Sequence, residues 1–341
     1  MAATGVSHLL DVRDAPAPTT LADNPLTFLT SLGGPVAWRV PGRDRRRVRV
    51  VTTLLHGNEP SGFLALHAWL RSGIQPAVDA LCVIANVEAA ALHPVFTHRS
   101  LPRQRDLNRS FHGPFDDATG RVAGSLLELI EASRAEALVD LHNNTGRNPA
   151  YGVGIQPTPE RLQLTALFGR DFVWSRLALG ALLEAVDTCP AVTIEVGKSG
   201  DDAADAVALD GVTRFFGADR LFSGALPPVR VLEMPMRARV RQGCSLVMAQ
   251  QPTGSADLTM PDDLDRHNFQ TVPAGSRIGW TRDGACPLGL FDAEGRDRAA
   301  DYFEVRGNEL IAHRPFMPIM ITADAQIAMS DCLFYIVHEV S

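Results

Sequence analysis

From Arg46 to about Phe216, short apolar runs alternate with amphipathic stretches, the pattern of strands and helices in an open α/β sheet. Val48 to Leu55, Ala80 to Ala85, Ala137 to Leu141 and Ala191 to Val196 are apolar or β-branched, and each is followed by glycine, asparagine or histidine. They read as buried strands whose carboxyl ends open onto a crevice, where chemistry should collect. Pro60 suits the first position of a helix, after which Phe63, Leu66, His67 and Leu70 fall on one stripe. A second stripe runs Ala204, Val207, Ala208, Gly211, Val212, Phe215.

After about Leu226 the pattern changes to short alternating segments: Arg230 to Val240, Ser245 to Gln250, Arg277 to Trp280, Phe316 to Ile321 and Cys332 to Val337. Glycine, proline and aspartate break them, as in a mostly β domain. The expected division is residues 1–226 and 227–341, with the junction in LPPVRVL, residues 226–232. No internal repeat or low-complexity tract interrupts this plan.

The length of 341 residues suits two domains, and a composition of 45% hydrophobic and 21% charged residues excludes bulk disorder. A net charge of −7 argues against a nucleic-acid or anionic-membrane partner. The first twenty residues lack a basic segment followed by a long apolar run, so a soluble, cytoplasmic protein is expected. Five cysteines (Cys82, Cys189, Cys244, Cys286, Cys332) are scattered without a CxxC pair and are expected as buried, reduced thiols.

Four local features carry candidate chemistry. In Leu54-Leu55-His56-Gly57-Asn58-Glu59-Pro60, a strand gives way to a helix, and a His and a Glu across a glycine turn can converge on a metal. A surface His beside a helix-starting Glu would produce the same letters. In Leu138-Val139-Asp140-Leu141-His142-Asn143, strand alternation puts Asp140 on the face of His142, where its carboxylate would orient the imidazole. In Ala191-Val192-Thr193-Ile194-Glu195-Val196-Gly197, one carboxylate interrupts a buried strand, so it must be paired, shifted in pKa or open to a cavity. From Arg99 to Arg109, four arginines in eleven residues (Arg99, Arg103, Arg105, Arg109) reverse the charge of an acidic protein. They make either a solvated loop or a grip for an anionic substrate.

Together HGNE, DLNR, DLH and IEVG resemble the succinylglutamate desuccinylase and aspartoacylase family, a branch of the zinc carboxypeptidase-like hydrolases, in the family's order and at comparable spacing. The resemblance covers residues 46 to 216, with a looser likeness in the tail. It implies a doubly wound, mixed α/β sheet of zinc carboxypeptidase type, with a smaller, mostly β C-terminal domain covering the site. It implies one zinc ion per chain held by His56, Glu59 and His142, with Glu195 as the catalytic glutamate. Asn108 and Arg109 match the pair that grips a substrate carboxylate, and Asn143, which falls where aspartoacylases carry an asparagine, is a further substrate-binding residue that the resemblance implies. The family's carbonyl-polarising arginine corresponds to Arg99 or Arg103, of which Arg99 is favoured.

The implied reaction is hydrolysis of the amide bond of a small N-acyl amino acid by activated water, Glu195 taking the proton and returning it to the leaving amine. A carboxypeptidase-like peptidase, an esterase with the same centre, or an inactive metal-dependent binding protein are the alternatives. Two departures bear on the substrate. Phe316 to Ala328 contains no tyrosine, and Leu177 to Thr193 contains no arginine, whereas aspartoacylases use both to bind a second carboxylate. Arg147, five residues past His142, is the remaining candidate cation near the substrate, ahead of Arg170 and Arg176. A homo-oligomer would be ordinary.

Overall fold

A computed structural model describes residues 10–225, 228–330 and 332–340. The first nine residues and the Leu226-Pro227 part of the expected junction lie outside the described residues. The fold is mixed α/β, with a large mixed sheet and a second, smaller sheet. Two compact units divide the chain. The first takes in the described residues through Asn143 with Ala150–Phe172 and Ala178–Val229, and the second takes in Asn144–Pro149, Val173–Leu177 and the described residues from Arg230 onward.

In the first unit the elements run β1 (Asp11–Asp14), α1 (Pro25–Leu32), β2 (Val36–Val40), β3 (Asp44–Thr53), α2 (Ser61–Ser72), β4 (Val78–Ile84) and α3 (Val87–Ala91). They continue as α4 (Ala118–Ser133), β5 (Ala137–Asn144), β6 (Tyr151–Gly154), α5 (Pro159–Ala166), β7 (Asp171–Trp174), α6 (Leu182–Ala185), β8 (Ala191–Lys198) and α7 (Asp202–Gly217), with Asn144 of β5 and Val173 and Trp174 of β7 counted in the second unit. The sheet order is β1-β2-β4-β3-β5-β8-β6-β7. β3 runs parallel to both β4 and β5, while β2 and β6 lie antiparallel to their neighbours β4 and β8. The four strands expected from the sequence are β3, β4, β5 and β8.

Side-chain alternation assigns the helices to faces. Val50 and Leu138 join Leu126 and Ile130 of α4 in one apolar cluster. Thr53 and Leu141, which point the other way, meet α2: a Cβ added to Gly62 would come 2.7 Å from Leu141 Cβ and would collide with Thr53 Oγ1. On that side Trp69 of α2 also packs on Phe216 of α7, ring centroids 4.6 Å apart. The expected α2 stripe of Phe63, Leu66, His67 and Leu70 is buried throughout, and α7 buries its own stripe except for half-buried Val207. Helices on both faces make the sheet doubly wound. Because β3 sits between β4 and β5, the chain order reverses at β3, and its carboxyl end is a topological switch point.

The second unit is β-rich. β9 (Arg230–Val240) pairs antiparallel with β13 (Leu288–Phe291) and with β17 (Phe334–Glu339), which pairs with β16 (Met317–Ile319). A five-stranded sheet has the order β10-β11-β12-β15-β14, from β10 (Leu246–Met248), β11 (Leu258–Met260), β12 (Arg277–Thr281), β14 (Phe303–Arg306) and β15 (Glu309–Ala312). Short helices α8 (Ala299–Tyr302) and α9 (Ala325–Ser330) complete it. Leu258, Met260, Leu288, Leu290, Phe303 and Phe334 centre its core. Among the described residues no helix is long and apolar enough to cross a membrane.

Candidate metal and active site

The site forms where β3 stops. The strand was expected to reach Leu55 but ends at Thr53, because Leu54 turns to φ +54°, a left-handed conformation that no strand continues. The chain then makes a tight loop in which Glu59 N donates to His56 O at 3.2 Å and Gly57 N donates to Arg99 O at 3.0 Å. A Cβ at Gly57 would stand 2.6 Å from both Ala90 N and His98 O, so only glycine lets the loop lie this close to its neighbours. α2 starts at Ser61 rather than at Pro60, which occupies the capping position with a helical backbone.

This loop brings His56 and Glu59 beside His142 of β5, and all three are buried, with one ligand atom from each within 4.8 Å of the others. His56 Nδ1 is 2.8 Å from Glu59 Oε1, and His142 Nδ1 is 2.6 Å from Glu59 Oε2. The two rings stand 4.9 Å apart at 69°. The opposite nitrogens are also held: His142 Nε2 lies 2.8 Å from Asp140 Oδ2, and His56 Nε2 lies 3.1 Å from Asp106 Oδ1. Asp140 is itself fixed, accepting from Thr52 Oγ1 at 2.6 Å and from Thr193 Oγ1 at 3.4 Å.

Each imidazole therefore meets a carboxylate oxygen at both nitrogens. That pattern is satisfied by two N–H donors per ring, or by a cation at Nδ1 with the proton kept at Nε2. Replacing the two Nδ1 protons with one divalent cation leaves the net charge of the cluster unchanged. Two imidazole nitrogens and one carboxylate, none of them sulfur, suit zinc. The residues present thus fit the metal that the resemblance implies.

Burial works against the charge on these groups, but their neighbours reverse the balance. His56 and His142 hold the Glu59 carboxyl well below the usual range. Asp140 and Glu59 push His142 well above an ordinary histidine. Asp106 is lowered by His56, Arg99 and Arg109. Glu195 goes the other way: burial, with the negative charges of Glu59 and Asp140, raises it to about 8 against the opposing pull of His142 and Arg99. Alternation along β8 puts Glu195 on the face of Thr193, the Asp140 partner, and register sets Tyr151 opposite it on β6.

The arginine loop separates into distinct roles. Arg99 reaches Asp106 with Nε and Nη2, each 2.8 Å from Oδ2, and its Nη1 lies 3.7 Å from Glu59 Oε1. Arg103 is exposed at φ +68° and makes no ion pair among the described residues. Arg105 is turned to Asp117 at 2.6 Å. Asn108 is buried, its Oδ1 accepting from Leu182 N at 3.0 Å and its Nδ2 standing 3.5 Å from His142 Nε2. Arg109 is exposed, with Nη1 donating to the Asn108 carbonyl at 2.8 Å.

Asn143, expected to touch substrate, instead has both ends of its amide bonded inside the fold. Its Oδ1 accepts from Ser61 N at 3.0 Å, capping α2, and its Nδ2 donates to Ser61 Oγ at 2.8 Å and Gly197 O at 3.2 Å. Arg147 belongs to the second unit, where its N donates to Asp265 Oδ2 at 3.0 Å and its carbonyl accepts from Asn268 Nδ2 at 2.8 Å. Arg176 is engaged with Glu233 at 2.7 Å. Asp106 was missed as a histidine partner. It heads DLNR in plain view, but it is fifty residues from His56 and no periodicity links the two.

Residues 49–208 match the sequence model of the succinylglutamate desuccinylase/aspartoacylase catalytic domain. No curated protein sequence matches the chain. Many solved structures share its fold, among them the following three. A succinylglutamate desuccinylase/aspartoacylase from Rhodobacter sphaeroides is 14% identical, with 89% of this chain and 88% of its own covered and a TM-score of 0.60. A succinylglutamate desuccinylase from Vibrio parahaemolyticus is 14% identical, covering 94% and 97% at a TM-score of 0.59. The product-bound ectoine utilization protein EutE from Ruegeria pomeroyi is 18% identical, covering 88% and 87% at 0.56. All four motifs fall inside residues 49–208, the stretch that matches the succinylglutamate desuccinylase/aspartoacylase catalytic domain.

Proposed function

We propose that the protein is a zinc-dependent deacylase that hydrolyses the amide bond of a small N-acyl amino acid. The observation that carries the reading is the buried His56, Glu59, His142 cluster, with each outer imidazole nitrogen backed by its own aspartate. These three residues would hold the metal. Bound zinc supplies Lewis acidity, acidifying water and polarising a carbonyl oxygen.

Glu195 is the group we assign to proton transfer, first from water and then to the departing amine. Its place on β8, on the same face as Thr193, supports this. Arg99 is held by Asp106 next to Glu59, which suits it to stabilise negative charge growing on the scissile carbonyl. Arg109, assisted by Asn108, would bind the substrate carboxylate and so orient the amide. Asn143 serves the scaffold by fixing the start of α2 against β8. We place this activity in the cytoplasm, whose reducing milieu suits the scattered thiols. Among them burial pushes Cys82 upward and Cys189 to about 11.

The test is metal analysis of the purified chain, followed by amine release from a panel of N-acyl amino acids before and after chelation and zinc restoration. One zinc per chain and chelator-sensitive amine release are expected. Turnover that persists without any metal would end the proposal.

A further inference from the structure

The second unit contains a cavity of about 470 Å³, within the range of ligand pockets, and every residue lining it belongs to that unit. None of the groups assigned above to metal binding or catalysis lines it. Its floor is set by strand register. Arg237 of β9 pairs with Phe291 of β13 on one side and with Tyr335 of β17 on the other, so a guanidinium lies between two aromatic residues on one face of three strands. Arg237 Cζ stands 5.9 Å from the Tyr335 ring centre.

Five arginines line the cavity against three carboxylates. Most of that charge is matched nearby: Arg176 pairs with Glu233 at 2.7 Å, Arg296 with Asp292 and Glu294 at 2.8 Å each, and Arg298 with Asp301 at 2.5 Å. Arg239 differs. Two residues beyond Arg237, it shares the same strand face, is exposed, and makes no ion pair among the described residues. In a protein of net charge −7, Arg239 thus offers the cavity a positive group beside Phe291.

A guanidinium fork recognises a carboxylate, and an aromatic surface accepts a planar body by stacking. We infer that this cavity is a second binding site, for a small aromatic carboxylate whose acid group meets Arg239 and whose ring lies against Phe291, which leans over Gly289, the β13 partner of Arg239.

Calorimetric titration of the full-length protein with benzoate tests this, with benzyl alcohol as the uncharged control. Benzoate should bind and benzyl alcohol should not. Arg239→Gln should weaken benzoate by about tenfold or more, since a charge-assisted hydrogen bond is lost, while amide hydrolysis stays at the parent level. Arg239→Lys, which keeps the charge but not the fork, should fall between them. Arg109→Ala should leave benzoate binding intact. Equal affinity in Arg239→Gln, loss of binding in Arg109→Ala, or no binding by the parent into the millimolar range would each overturn the inference.

Discussion

His56 Nε2 lies 3.1 Å from Asp106 Oδ1, so the histidine in the turn after β3 is steered by a carboxylate fifty positions away. Asp106 is held in turn: Oδ1 also accepts from Asn108 N at 2.8 Å, and Oδ2 receives the Arg99 fork. The carboxylate therefore aims the imidazole and ties Arg99 to the same centre. Asp106→Asn should keep the fold and weaken zinc by about 10–100-fold, the usual loss when the outer partner of a metal-bound histidine is replaced. Competition with a chromogenic chelator measures it, and unchanged zinc affinity would leave Asp106 as a loop brace only.

Removing a proposed ligand should be more severe. His142→Ala takes away one of three donors and leaves Glu59 and Asp140 facing each other without the imidazole that bridges them. Zinc content after dialysis should drop close to zero together with activity, and His56→Ala should behave alike. A variant that retains a full equivalent of zinc would take its histidine out of the centre.

Glu195→Gln preserves shape and cannot accept a proton. It should retain zinc and lose about 10²–10⁴-fold in turnover, the range typical of a missing general base. A loss under about tenfold would make Glu195 a structural carboxylate and send the proton elsewhere.

Two arginines competed for one role in the sequence, and the structure sets them in different surroundings. Arg99 is anchored by Asp106 and sits 3.7 Å from Glu59, whereas Arg103 is exposed on a left-handed backbone. Arg99→Ala should lower kcat with KM little changed, because stabilising a developing oxyanion matters most in the transition state. Arg103→Ala should stay close to the parent. Steady-state kinetics that reverse this order would exchange the roles.

What the sequence revealed follows from how local each signal was. Buried parallel strands carry continuous apolar runs, so β3, β4, β5 and β8 stood out, and the α2 stripe did too. Their order could not be read, because β4-β3-β5 is settled by tertiary packing and no residue spells it. Strand alternation made the Asp140 to His142 pairing visible two residues apart. The Asp106 to His56 pairing depends on a loop folding back, and it was invisible. The resemblance makes Asn143 a substrate-binding candidate, and in the fold its side-chain oxygen is taken up by the buried backbone N–H at the start of α2. In the second unit β11, β13, β14 and β15 are only three or four residues long, too short for alternation to register.

The substrate preference follows from counting the cations that the proposed site offers. Under the proposed function, Arg109 with Asn108 would supply one carboxylate clamp. Nothing in Leu177 to Thr193 or Phe316 to Ala328 adds the arginine or tyrosine that a second carboxylate would need, and Arg176 is already paired with Glu233. N-acyl amino acids with one carboxylate and an uncharged side chain should therefore be hydrolysed in preference to N-acetylaspartate. Arg147 is the residue that would upset this, since its backbone is fixed by Asp265 and Asn268 while its side chain is exposed. Comparison of kcat/KM for the N-acetyl derivatives of aspartate, glutamate, alanine, leucine and phenylalanine decides the matter. Values for the two dicarboxylic substrates about tenfold above the neutral ones, equivalent to about 1.4 kcal/mol of extra transition-state binding, would refute the prediction. Loss of that preference in Arg147→Ala would then identify Arg147 as the second clamp.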